Sequence, residues 1–353
     1  MYGLRFTSSE SLIGVLASSI ALAALFIRPF SGTLADRYDC NRIIALTQFG
    51  TAGVVALYVI APNIGALIAI RLAQGLLFGL SSTVITTAAI RRMPSEAMGR
   101  GIGILTVTAM GSQAVAPLIG LWIVEKWSYP VLFIFTSIIA LAAACIALAT
   151  KIGKSKPKTK EKRAAGFSLK ELFAVEAISL AGLAVIIASS TALTMSFIVI
   201  FAHAVEIPNI GLFFTFNTIA LVLTRVFGSG LIDRYPYKRI LPYGAALCAA
   251  ALAIIGAAEA FPPLCVAAVL LGVGYGITAP TIMTNMIRAV VPERVGTASA
   301  TYYLGVDVAY IAGPITMGVI AEATSFSVGF FSFVLPTLAA IPLTLIIARR
   351  RGD

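Results

Sequence analysis

Residues 28–38 read RPFSGTLADRY, and residues 225–235 read RVFGSGLIDRY, with Arg, Phe, Leu, Asp, Arg and Tyr identical in register. The two strings lie 197 positions apart. Each closes an apolar run with small residues, a lone Asp and an Arg before a short polar loop. The offset continues outward: Gly75 maps on Gly272, Gly79 on Gly276, Arg91 on Arg288, Gly99 on Gly296 and Pro117 on Pro314. The chain is therefore two copies of one unit several segments long.

Composition sets the solvent in which that unit folds. Hydrophobic residues are 59% of the chain, charged residues 12%, and the mean hydropathy is +0.96. Soluble domains hold about 25% charged residues. Apolar runs of about 20 residues match the ~30 Å hydrocarbon layer as helices, because lipid leaves the backbone no hydrogen-bond partner outside itself. Eleven such segments are predicted, over 11–34, 42–62, 65–90, 99–124, 128–150, 173–202, 209–232, 240–260, 263–287, 298–320 and 328–348. The expected fold is an all-α integral membrane protein of two pseudo-symmetric bundles. Residues 1–150 form the first, 151–172 a basic linker and 173–353 the second.

The net charge of +11 is an orientation signal. With alternate loops on one side, 21 of the 26 Lys and Arg fall together; Arg5 and Lys126 lie opposite, and Arg28, Arg71 and Arg225 lie within segments. By the positive-inside rule the C-terminus is cytoplasmic and Met1 outside. This distribution argues for a lipid bilayer as partner and against nucleic acid. Cys40, Cys145, Cys248 and Cys265 form no CxxC pair and His203 is the sole histidine, so no metal site is expected. No Ser/His/Asp set or phosphate loop is present, which argues against an enzyme.

Applied to the segment at 173–202, the offset gives positions before Met1. Five segments in the first copy therefore face six in the second. MYGLRFTSSES reads as the outer loop after an absent first helix, and a start placed too far downstream is the expected cause.

Six plus six helices, a basic central loop and the Gly/Asp/Arg signature resemble the major facilitator superfamily of secondary transporters, nearest its drug:proton antiporter branch. Gly32, Leu34, Asp36 and Arg37 match that family's loop motif, and Leu231, Asp233 and Arg234 match it more loosely; Asp39, Cys40 and Asn41 depart from it. The resemblance implies a conformational latch formed by Gly32, Asp36, Arg37, Asp233 and Arg234. An Asp at the C-terminal end of its own helix faces the negative end of the dipole, so it should bridge to another helix or an Arg. A charged turn without that role is the alternative.

Arg71, Gln74, Gly75 and Gly79 match the family's fourth-helix pattern, whose arginine the family links to proton coupling. Arg71 lies seven residues into its helix, ~10 Å deep at 1.5 Å per residue, and a guanidinium there should face water or a carboxylate, or else snorkel. Ser112, Ala116, Pro117 and Gly120 are a degraded form of the family's exporter motif and predict a close, bent helix interface. Asp307 is the one acid well inside the second copy's membrane region. It is a coupling candidate, and in the resembled fold its helix lies beside that of Arg28. Gln48, Gln113, Asn217, Asn285, Tyr302 and Tyr303 either line a cavity or tie helices together, while Glu176 and His203 sit at helix ends.

The function these features imply is proton-coupled efflux of a small organic molecule by a monomer in the cell (inner) membrane. It would need no cofactor beyond the proton. An importer or facilitator on the same fold, and a non-transporting receptor or fragment, are the alternatives.

Overall fold

The computed structural model describes residues 10–150 and 172–351. The basic linker expected over 151–172 lies outside them except for its last position, and so do residues 1–9 of the outer loop expected over 1–11. The helices are α1 (Glu10–Arg37), α2 (Cys40–Ala56), α3 (Ile64–Ile90), α4 (Met98–Lys126), α5 (Tyr129–Ala149), α6 (Ile178–Ala204), α7 (Gly211–Arg234), α8 (Tyr237–Gly256), α9 (Phe261–Arg288), α10 (Val295–Ala323), α11 (Phe326–Ser332) and α12 (Val334–Arg351). Among the described residues nine segments are long and apolar enough to cross a membrane. The predicted segment 328–348 is interrupted at Phe333, which separates α11 from α12.

Local chemistry fixes where several helices begin. Asn63 is extended, and its side-chain oxygen accepts from the Ala66 N–H at 2.9 Å, so α3 starts at Ile64. Asp39 accepts from Asn41 N–H at 2.9 Å and starts α2. Ser325 does the same for α11 through the Val328 N–H. Each supplies one of the acceptors that the first turn of a helix lacks. Within the helices, Thr47, Thr87, Thr194, Thr278 and Thr301 return their hydroxyls to the carbonyl four residues back, which hides a polar group from an apolar neighbourhood.

The helices form two compact units. Of the described residues, one unit takes those in Met1–Arg92, Ala109–Val175 and Val291–Leu304; the other takes Met93–Thr108, Glu176–Val290 and Gly305–Asp353. The first has two small apolar cores. Ala35, Ile44, Val84, Ala88 and Ala147 form one, and Val55, Tyr58 and Leu67 the other. A larger core in the second unit joins Leu193, Ile198 and Phe201 of α6, Cys248, Leu252 and Ile255 of α8, Leu264, Ala268 and Leu271 of α9, and Phe330 of α11.

Glycines set the closest helix pairs. A methyl group at Gly75 would lie 2.8 Å from the Ala23 Cβ and would also strike the Ile20 carbonyl; one at Gly79 would meet Ile27 at 2.5 Å. In the second unit Gly272 faces Asn217 and Ala220, and Gly276 faces Thr224. Each of these partners is 197 residues from its counterpart, so α1 packs on α3 as α7 packs on α9. Small residues at this spacing let two backbones approach where lipid gives no hydrophobic drive to bury bulk.

Gly75→Leu should therefore force α1 and α3 apart and lower stability by ~1–3 kcal/mol, the usual effect of overpacking. Gly53 on α2 has no neighbour within 4 Å of a built Cβ. Thermal unfolding of the detergent-solubilised protein should show a clear fall in midpoint for Gly75→Leu and none for Gly53→Ala.

Candidate functional site

The carboxylate of Asp36, at the end of α1, sits on the first turn of α10. Oδ1 accepts from the Gly296 N–H at 2.7 Å, and Oδ2 accepts from the Thr297 N–H and the Thr297 hydroxyl, both at 2.8 Å. Arg91, just past α3, completes the set with a 2.7 Å ion pair to Oδ1, and its other terminal nitrogen donates to the Ala35 carbonyl at 2.8 Å. The Asp36 side chain is only 10% exposed. Three donors from one helix start and a guanidinium thus converge on a carboxylate whose own helix end repels it.

The second unit repeats this arrangement. Asp233 Oδ1 accepts from the Gly99 N–H at 2.9 Å and Oδ2 from the Arg100 N–H at 3.1 Å, on the first turn of α4, while Arg288 pairs with Oδ1 at 3.0 Å. Every partner is displaced by 197 from its counterpart: 36 and 233, 91 and 288, 99 and 296, 100 and 297. Glycine is required at both helix starts. A methyl group at Gly296 would lie 2.5 Å from the Gly32 carbonyl oxygen, and one at Gly99 would lie 2.8 Å from the Ile232 Cβ. Gly32 has the same constraint, 2.7 Å from Ala300.

The cations seen paired with the two aspartates are Arg91 and Arg288. Arg234 is exposed, and Arg37 is half-buried in the last turn of α1. The signal for Arg91, Arg288, Gly99 and Gly296 was their place in the repeat, since all four recur at the same offset. Where the loop departs from the family pattern, the residues have local tasks. Asp39 caps α2, the Cys40 thiol lies 3.6 Å from the Ala35 carbonyl and from Arg91, and Asn41 donates to the Thr150 carbonyl.

Further into the first unit, Arg28 is 3% exposed and donates to Ser82 Oγ at 2.9 Å, with Thr83 Oγ1 at 3.4 Å. Its guanidinium lies 4.7 Å from the Tyr303 ring centre and 6.0 Å from that of Phe78. The Tyr303 hydroxyl is 3.0 Å from Thr86 Oγ1. In the second unit Arg225 lies 6.0 Å from the ring of Tyr275, the counterpart of Phe78. An aromatic ring thus lies near each cation, and hydroxyls also meet Arg28. Asp307 is half-buried on α10, in the second unit.

Arg71 and Gln74 are half-buried on one face of α3, and the Tyr58 hydroxyl donates to Gln74 Oε1 at 2.6 Å. Asn217 is spent on an interhelical tie: its Nδ2 donates to the Ala268 carbonyl at 3.0 Å, and it is buried. Asn285 donates to Thr281, a turn back on its own helix. The side chains of Gln113 and Pro117 lie outside the described residues. Of the residues predicted to form a close interface, Ser112 and Ala116 are exposed, and among the described residues the nearest atom to a Cβ at Gly120 is Leu132 at 3.9 Å. In α10 a Cβ built on Gly313 would lie 3.3 Å from the Ser189 carbonyl oxygen of α6.

The profile of the Major Facilitator Superfamily matches residues 2–208 and 178–353. The chain belongs to this superfamily. It is a multi-pass membrane protein. It is similar to the MFS-type transporter YuxJ of Bacillus subtilis, with 24% identity over 94% of this chain and 87% of that protein. A shorter stretch is 29% identical to the multidrug resistance protein MdtG of Dickeya zeae, over 36% of this chain and 31% of MdtG. Another is 28% identical to the multi-drug resistance efflux pump PmrA of Streptococcus pneumoniae, over 45% of this chain and 39% of PmrA. Among solved structures, the transporter FucP in its outward conformation superposes with a TM-score of 0.80 at 16% identity, covering 100% of this chain and 92% of that one. The human organic anion transporter MFSD10 superposes with a TM-score of 0.77 at 14% identity, covering 94% and 83%.

Removing charge from the two caps should have unequal effects. Asp36 holds one more donor than Asp233, and Arg91 is less exposed than Arg288, 17% against 38%. Asp36→Asn should lower stability by ~1.5–3 kcal/mol, as for lost hydrogen bonds to a charged group, and Asp233→Asn by less. Thermal unfolding in detergent should rank them in that order, with Arg91→Ala close to Asp36→Asn and Arg234→Ala near the unmodified protein.

Proposed function

We propose that this transporter exports a small organic molecule in exchange for protons, by alternating access, with the two carboxylate caps as its latch. The observation that carries this reading is the duplicated cap, Asp36 on Gly296 and Thr297 and Asp233 on Gly99 and Arg100. A helix start held only by a side-chain carboxylate has two states of comparable energy, capped by protein or solvated by water. That is the bistable element alternating access requires, and the chain carries it twice at equivalent positions.

The architecture in this reading has eleven spans, five in residues 1–150 and six in 173–353, joined by the basic linker over 151–172. The C-terminus lies in the cytoplasm and the first residue outside, in the cell's inner membrane, and the working form is a monomer. Asp307 is the proton-carrying group, as the acid deepest in the second copy. Gly32 belongs to the latch, and Arg28, Arg71 and Gln74 supply polar groups within the first unit. Export is supported by the names of two relatives, the multidrug resistance protein MdtG and the efflux pump PmrA.

Everted membrane vesicles energised with an acid interior test the reading directly. The unmodified transporter should accumulate its substrate from a panel of organic compounds, and collapse of the pH gradient should release it. Asp307→Asn should abolish gradient-driven accumulation while leaving counterflow exchange. Uptake by intact cells with none by everted vesicles would show that the direction is import, and unchanged gradient dependence in Asp307→Asn would remove Asp307 from coupling.

A further inference from the structure

The two copies differ most along one face of a helix. On α9 the residues Ala268, Leu271, Tyr275, Ala279 and Ile282 share a face, and Ala268 and Leu271 are fully buried in the core they share with Leu193, Ile198 and Phe201 of α6. The equivalent positions on α3, 197 residues earlier, are Arg71, Gln74, Phe78, Ser82 and Ile85. Among the described residues of the first unit no helix takes the place of α6, and Arg71, Gln74 and Ser82 are half-buried while Phe78 and Ile85 are exposed. The face that carries alanine and leucine in one copy thus carries a guanidinium and an amide in the other.

Its polar groups are donors. The Tyr58 hydroxyl donates to Gln74 Oε1 at 2.6 Å, and Tyr58 is itself fixed by stacking on Phe133, with ring centres 5.0 Å apart. The oxygen end of the amide is thereby occupied, so the NH2 end of Gln74 is the end left to donate. Arg71 stands one turn earlier on the same side of the helix. Its Nε is buried without a hydrogen-bond partner among the described residues. A guanidinium has five N–H donors and no acceptor, and in apolar surroundings it is stable only against an anion or water. At a depth of ~10 Å from the helix start, this donor pair lies below the level of lipid phosphates.

We propose that Arg71 and Gln74, with Tyr58 as positioning residue, form a subsite for an anionic group of the transported molecule, a carboxylate, sulfonate or phosphate. The proposal rests on the reading of this chain as a transporter of small organic molecules and gives its substrate a charge. An anion can bridge the guanidinium fork and the amide NH2, whereas a cation would meet only like charge and donors.

The test uses two dyes on one xanthene frame, the anion carboxyfluorescein and the cation tetramethylrhodamine methyl ester, with the full chain in phosphatidylcholine nanodiscs. Fluorescence anisotropy should show binding of the anion in preference to the cation. Arg71→Ala should weaken the anion's binding about tenfold or more, the loss expected for a charge-assisted hydrogen bond. Arg71→Lys should recover part of it, having charge without the fork. Tyr58→Phe and Gln74→Leu should each weaken it, and the double variant should be no weaker than Gln74→Leu alone. Four results would overturn the subsite: no anion binding by the unmodified chain, preference for the cation, an unchanged affinity in Arg71→Ala, or displacement of the dye by added phosphatidylglycerol, which would mark a lipid site. Dye accumulation in vesicles separates the two readings. Anion binding without transport supports the subsite and counts against the exporter, whereas transport undiminished by Arg71→Ala removes the subsite alone.

Discussion

A carboxylate at the C-terminal end of a helix and a helix start with unused N–H groups are each unstable in apolar surroundings, and this protein cancels one against the other. Asp36 cannot draw on its own helix, whose last carbonyls carry the same sign of charge. The first turn of α10 has donors that no carbonyl of that helix can reach. Bringing the two together satisfies Gly296, Thr297 and both carboxylate oxygens at 2.7–2.8 Å. The approach is so close that glycine is needed on both sides, at Gly32 and at Gly296. The small residues of the opening motif are therefore a consequence of the carboxylate contact, and the same logic holds at Gly99 and Asp233.

The repeat made much of this legible. A single offset of 197 relates the two aspartates, the two arginines and the two glycines at helix starts, and it also relates the partners of Gly75 and Gly79 to those of Gly272 and Gly276. A repeat reports which residues act together, because equivalent contacts impose equivalent residues. It does not report which member of a charged cluster makes the contact. Arg37 and Arg234 adjoin the aspartates in sequence, yet a residue next to Asp on a helix points about 100° away from it. The pairing cations come from Arg91 and Arg288, on chain segments that only the fold brings near.

Other positions were ambiguous because one residue type serves two purposes. Asn217 fitted a cavity and a helix tie equally well, and its depth between α7 and α9 decides for the tie. The exporter-like string has the residues of a close interface, yet Ser112 and Ala116 are exposed among the described residues. Small residues permit approach; they do not supply the neighbour. In α10, where α6 is present, Gly313 does meet another backbone at Ser189.

The difference between α3 and α9 follows from the same condition. Ala268 and Leu271 can be fully buried because α6 brings Leu193, Ile198 and Phe201 against them, and a guanidinium there would be stripped of water with no acceptor in reach. At the matching positions of α3, Arg71 and Gln74 are half-buried, and a guanidinium so placed calls for a polar partner. Duplication thus supplied two equivalent helix pairs, held by equivalent glycine contacts and capped by equivalent carboxylates. What distinguishes the copies along this face is the side chains, aliphatic at 268 and 271 on α9 and a guanidinium and an amide at 71 and 74 on α3, and it is the latter that can meet a polar group of a bound molecule.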